Sequence, residues 1–162
     1  MISKLRFIGI SIFILFAIVT LIGLTFPSSV IVSRAVNIPS NKNVITPFTH
    51  NLNNWSKWIK GANTLHINSL FTAQLNNTSI LITNKTDSNI ISVWKDSKGK
   101  TQTSTINLYQ QNDITIVQWQ FEEKFKWYPW QRLSSMFNEK MLGPVMEESL
   151  DSLKAKVIRF EL

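Results

Sequence analysis

Hydrophobic and polar residues change their spacing three times along this chain, and each change predicts a different element. From Phe7 to Phe26 there are 20 residues without a charge, the length a helix needs to cross a bilayer core at about 1.5 Å per residue. From Ser29 to Ile38 the spacing drops to two. Val30, Val32 and Val36 alternate with Ile31 and Ser33, which predicts a strand stopped by Pro39-Ser40-Asn41. A short helix follows, capped by Ser40 or Asn41, with Val44, Ile45 and Phe48 on its apolar side and Pro47 limiting its regularity.

Strands dominate the middle. Ser79 to Thr83, Ile90 to Lys95, Thr101 to Tyr109 and Asp113 to Phe125 are rich in Ile, Val, Thr and aromatics, and the polar segments between them read as hairpin turns. In the last strand Val117, Trp119, Phe121 and Phe125 share one parity and Gln118, Gln120 and Glu122 the other, so one face is buried and one is wet. After Trp127-Tyr128-Pro129 the period becomes helical. Leu133, Phe137, Met141, Leu142, Val145, Met146, Ser149, Leu153 and Val157 form a stripe to cover the sheet, with a kink or restart expected at Gly143-Pro144. The prediction is α+β: a curved antiparallel sheet wrapped around a long C-terminal helix, preceded by one transmembrane helix.

Composition sharpens the reading of the N-terminal run. Fourteen of its 20 residues are Leu, Ile, Val or Phe, and at about −0.3 to −0.6 kcal/mol each their sum outweighs the threonines, the serine and the two glycines. Gly23-Leu24-Thr25-Phe26-Pro27 makes a poor signal-peptide cleavage site, so residues 1–28 are expected to stay as an anchor and 29–162 to form one domain. Lys4 and Arg6 precede the span, which places the N-terminus in the cytoplasm and the domain outside it. The net charge of +7 is scattered, so nucleic acid is not expected as a partner, whereas a membrane is. Cysteine is absent, which excludes a lipidated cysteine anchor. Sequons at Asn54, Asn76, Asn77 and Asn84 are what 15 asparagines produce by chance.

Three stretches resemble a known superfamily. Val32-Ser33-Arg34-Ala35-Val36-Asn37-Ile38-Pro39 is similar to its first strand, Leu52-Asn53-Asn54-Trp55-Ser56-Lys57-Trp58 to the segment after its first helix, and Trp127 to Lys154 to its final helix. The superfamily is START-like, or SRPBCC, and the chain resembles its bacterial membrane-anchored members labelled polyketide cyclase/dehydrase. The resemblance implies a helix-grip fold, an inner-membrane location and, as in many relatives, a lipid or other apolar small molecule held between sheet and helix. Relatives place glycines in the hairpins, whereas this chain has only Gly99 between Gly61 and Gly143, so a shortened or irregular sheet is expected there.

Candidate chemistry is sparse. His50 and His66 have no acid in a recognisable pattern and are too few for a metal site, so neither a metal nor another cofactor is expected. Trp55 and Trp58 are expected to pack at one end of the sheet-helix layer rather than line a cavity mouth. Glu123 shares the parity of Trp119 and Phe121 and would be an inward carboxylate, but the charged Glu122-Glu123-Lys124 reads first as a strand leaving its sheet. The ligand-lining residues expected are Trp94, Trp119, Phe121, Phe125, Phe137, Met141 and Met146. Two other classes compete with ligand binding: an envelope protein with a filled core that acts through its surface, and a cyclase-type enzyme with Glu123 as its one candidate acid or base.

Overall fold

The computed structural model describes residues 2–25, 28–125 and 138–161. Helix α1 (Ile2–Thr25) carries the apolar run. Its stretch Arg6–Thr25 has a mean hydropathy of 2.8 and only 6% of it is buried, unlike the core helix of a soluble protein. The Thr20 and Thr25 hydroxyls donate to the carbonyls of Phe16 and Ile22 at 2.8 and 2.7 Å, so their polarity is met inside the helix.

Seven antiparallel strands follow: β1 (Ser29–Ile38), β2 (Leu65–Ile67), β3 (Thr72–Leu75), β4 (Thr78–Thr86), β5 (Asn89–Asp96), β6 (Thr101–Gln111) and β7 (Ile114–Lys124). Their order in the sheet is β1-β7-β6-β5-β4-β3-β2, so the first strand in the chain pairs with the last. Strands β2 and β3 were not expected; at three and four residues they are too short for a period to register. The shortening expected from the missing glycines does not occur. Asn76 and Asn112 take left-handed conformations, φ 51° and 53°, next to Gly99 at φ 80°, because asparagine tolerates that region better than other side chains. The irregularity is one register shift in β4, between Ile82 and Asn84.

On the concave face, register lines up Val32, Phe121 and Ser104, then Arg34, Trp119 and Ile106, then Val36, Val117 and Leu108. Helix α2 (Lys42–His50) and the single turn of α3 (Leu52–Trp55) lie on that side. The closing helix α4 (Asn138–Glu161) packs along β1 and buries Met146, Ser149, Leu150, Leu153 and Val157. It runs through Gly143-Pro144 without the restart expected there. Gly143 answers to a close approach instead: a Cβ would lie 2.5 Å from Nη2 of Arg34, whose guanidinium pairs with Glu147 at 2.6 Å and Glu139 at 3.6 Å. The apolar stripe is therefore shifted. Leu150 joins it, Met141 and Val145 are exposed, and Leu133 and Phe137 lie outside the described residues.

Candidate functional site

Two asparagine caps aim the tryptophans. The Asn41 side chain accepts the Asn43 N–H to start α2, and Asn51 accepts the Asn53 N–H to start α3, both at 3.0 Å. The chain thus doubles back, and the indole N–H of Trp55 donates to the Thr49 carbonyl at 2.7 Å while that of Trp58 donates to Phe48 at 3.0 Å. With their polar atoms met, both rings are fully buried. They point at the sheet. Trp55 stacks on Trp94 at 6.2 Å, Trp94 meets Phe121 edge-on at 5.2 Å, Phe121 lies 5.3 Å from Trp119, and Trp119 meets Trp58 at 5.4 Å. Five rings in continuous contact form the inner wall.

Polar groups punctuate that wall. The Trp119 indole donates to Ser104 Oγ at 2.8 Å and the Trp94 indole to Ser92 Oγ at 3.0 Å. Ser92 and Ser104 are buried and opposite one another in register. Past Phe121 comes Glu123, and the reading of a strand already leaving the sheet is overturned: β7 stays paired with β1 to Lys124, Val30 lies opposite Glu123, and the Glu123 side chain is only 5% exposed. Its carboxylate accepts from Gln102 Nε2 at 2.8 Å and pairs with Lys100 Nζ at 2.7 Å. Beside it a cleft of about 170 Å³, lined by Thr78, Trp94, Asp96, Lys100 and Gln102, opens at this end of the sheet. The cleft thus presents one aromatic side chain, Trp94, beside the polar groups of Thr78, Asp96, Lys100 and Gln102.

Of the expected lining residues, Trp94, Trp119 and Phe121 are brought together in the aromatic wall. Met146 is buried on α4, and Phe125 is half-buried just beyond β7. Met141 is 71% exposed, and Phe137 is outside the described residues. Sequence reasoning missed Ser92, Ser104, Gln102 and Lys100. The first three sit at inward positions of their strands, Ser92 between Ile90 and Trp94 and Ser104 between Gln102 and Ile106, so parity could have found them.

The histidines do other work. His50 is buried; its Nε2–H donates to the Thr86 carbonyl at 2.8 Å, and its Nδ1 receives the Thr49 hydroxyl at 2.8 Å, which ties α2 to the β4–β5 turn. Burial pushes its pKa below the ordinary 6.5, Lys85 acts in the same direction, and the bond to Thr86 and the charge of Asp87 oppose them. His66 is exposed on β2. Outside the grip, Val44, Pro47, Phe48 and Phe160 line a shallow apolar hollow of about 420 Å³ between α2 and the end of α4.

No family sequence model and no curated protein sequence matches the chain. Solved structures do. A START superfamily protein from Mycobacterium smegmatis superposes with a TM-score of 0.60 at 12% identity, over 80% of this chain and 98% of that one. The di-domain ARO/CYC StfQ from the steffimycin biosynthetic pathway gives 0.63 at 8% identity, over 82% of this chain and 52% of that one. DynU16, a protein of the dynemicin biosynthetic locus, gives 0.57 at 10% identity, over 77% of this chain and 46% of that one, so this chain spans about half the length of both biosynthetic proteins. At these identities the likeness is one of fold, and it agrees with the sheet order, the closing helix and the sequence resemblance: the chain has the helix-grip fold of the START-like (SRPBCC) superfamily.

Proposed function

We propose that the chain is a membrane-anchored binding domain, in which residues 1–28 hold residues 29–162 at the outer side of a bacterial inner membrane and the domain takes up a lipid or other apolar small molecule between sheet and closing helix. The observation that carries this reading is the ion pair between the buried Glu123 carboxylate and the half-exposed Lys100, set between a layer of packed aromatic rings and an open cleft. Desolvating a carboxylate costs several kcal/mol, and apolar filling usually does as well or better for stability alone. Small-molecule sites, in contrast, combine apolar walls with a few fixed polar groups. Trp94, Phe121 and Trp119 with Ser92, Gln102 and Glu123 have that composition, and a START superfamily protein and an ARO/CYC share the fold. The role is binding rather than catalysis, since the inward carboxylate is already engaged by Lys100 and Gln102.

The five-ring contact chain favours a second reading, an envelope protein whose grip is filled and which acts through its surface. Native mass spectrometry of the full chain in mild detergent, with titration by fatty acids and by a hydrophobic fluorophore, separates the two. The binding reading expects a co-purified mass or saturable uptake, weakened by Thr78→Trp at the cleft. A folded monomer that takes up no apolar probe would refute it and leave the filled grip as the better account.

A further inference from the structure

Strand polarity decides which end of the sheet the anchor meets. β1 starts at Ser29, and its antiparallel neighbours bring Lys124 of β7, Thr101 of β6, Asp96 of β5 and Thr78 of β4 to the same end. The Phe125 N–H donates to the Ser28 carbonyl at 2.8 Å, so Ser28 belongs to that end as well. α1 stops at Thr25, and three Cα steps reach at most about 11 Å. The cleft beside Glu123 therefore opens at the anchored end of the domain.

The charges at that end sort by sign. Lys95, Lys98 and Lys124 are exposed and Lys100 is half-exposed. Two of the acids are turned to internal work: the Asp96 carboxylate accepts the backbone N–H groups of Lys98 and Lys100 at 2.9 Å, and Glu123 is buried. Glu122 reaches the surface, 3.8 Å from Lys124. At the opposite end Lys42 and Lys85 are accompanied by the exposed acids Asp87 and Asp113. Among these strand-end residues, then, four lysines meet three acids where the chain meets α1, and since Glu123 is buried the outward charge there is positive. Lysines within a Debye length of an anionic leaflet are drawn to it.

We propose that this end of the sheet, led by the β5–β6 turn at residues 97–100, docks on anionic lipid headgroups of the bilayer that α1 spans, and that the cleft consequently faces the membrane. The inference rests on the membrane anchor and ligand cleft proposed above, and names the bilayer itself as the surface with which the ligand is exchanged.

The chain has no cysteine, so Ser97→Cys and Asp87→Cys each create one labelling site, at opposite ends of β5, roughly 25 Å apart. The full chain is reconstituted in vesicles of phosphatidylcholine with phosphatidylglycerol, and a fluorophore at each site is quenched by a nitroxide carried on lipid headgroups. Quenching several-fold stronger at position 97 than at 87 is expected. The difference should shrink in pure phosphatidylcholine and in a chain that also carries Lys95→Gln, Lys98→Gln and Lys124→Gln. Equal quenching at both positions, in protein that survives a carbonate wash, overturns the docking and leaves the anchor intact. Protein removed by carbonate overturns the anchor and the docking together. A preference for position 97 that ignores lipid charge overturns the role of anionic headgroups. Ligand uptake is read separately in detergent, where no bilayer is present, so its failure is told apart from all three.

Discussion

Cutting the Glu123–Lys100 pair from its two sides should give unequal losses. The carboxylate side is 5% exposed and the ammonium side 46%, so the two groups have different alternatives when the partner goes. Lys100→Met leaves a carboxylate in the grip with its cation removed, and breaking a buried pair in this way costs about 3 to 5 kcal/mol. The Gln102 amide still donates to it at 2.8 Å, and the pair is half-open to water on the lysine side, which lowers the expectation to about 2 to 3 kcal/mol. Glu123→Gln releases a lysine that reaches water from where it stands, and the new amide oxygen can still accept from Gln102, so its cost should stay near 1 kcal/mol. The double variant should resemble Glu123→Gln alone, with a coupling energy of about 2 to 3 kcal/mol in magnitude, the whole of the Lys100→Met loss. Urea unfolding of the full chain in mild detergent, followed by near-UV circular dichroism, measures all three. If Lys100→Met matched the wild type, or if the single losses simply added, the pair would not be the buried interaction described here.

His50 predicts a pH dependence with a definite sign. Its pKa is lowered in the folded chain, so just below the ordinary value the unfolded chain holds the proton and the folded chain does not. Its contribution to stability is full above about pH 6.5 and falls as pH drops towards the folded pKa; His50→Gln should flatten that fall between about pH 7 and pH 5, and identical pH profiles would contradict the burial of the ring. Leu153, fully buried on α4, should cost about 2 to 5 kcal/mol on truncation to alanine. Glu147→Ala on the outer face removes a partly exposed pair with Arg34, worth about 0 to 1 kcal/mol, and equal shifts of the two denaturation midpoints would mean that the wrong face of α4 had been placed in the core.

Local pattern made most of the fold legible. β1 was readable to the residue, since its alternation is bounded by Pro27 and Pro39, and α4 announced itself from Met146 onward by helical spacing. Two things were not local. β3 is a strand because β4 offers it an edge to pair with, and β2 because β3 then does the same, and nothing within Leu65–Ile67 or Thr72–Leu75 requires it. The β3–β4 and β6–β7 hairpins lack glycine yet keep their length, because Asn76 and Asn112 supply the positive φ that those turns need.

The same distinction runs through the candidate site. Trp119 and Phe121 face inward by the parity of their own strand, so a single sequence reveals them. Trp55 and Trp58 are directed by carbonyls six and ten residues back in the chain, and such bonds exist only once α2 and α3 have folded against each other. Glu123 is the sharpest case. In sequence it stands among charges and looks like the end of a strand. It is kept in the sheet by pairing with Val30 and met by Lys100 from a turn 23 residues earlier. Nothing in either local window predicts that encounter; it follows from register, since Gln102 lies directly opposite Glu123 and the chain entering β6 must pass Lys100 beside it. Once β6 and β7 are paired through Trp119 and Ile106, a carboxylate two steps beyond Phe121 on the inward face has the lysine of the preceding turn within reach. The apolar register thus assembles the polar site, and a one-residue slip between β6 and β7 would bring Gln120 and Glu122 inward and destroy the wall and the ion pair together.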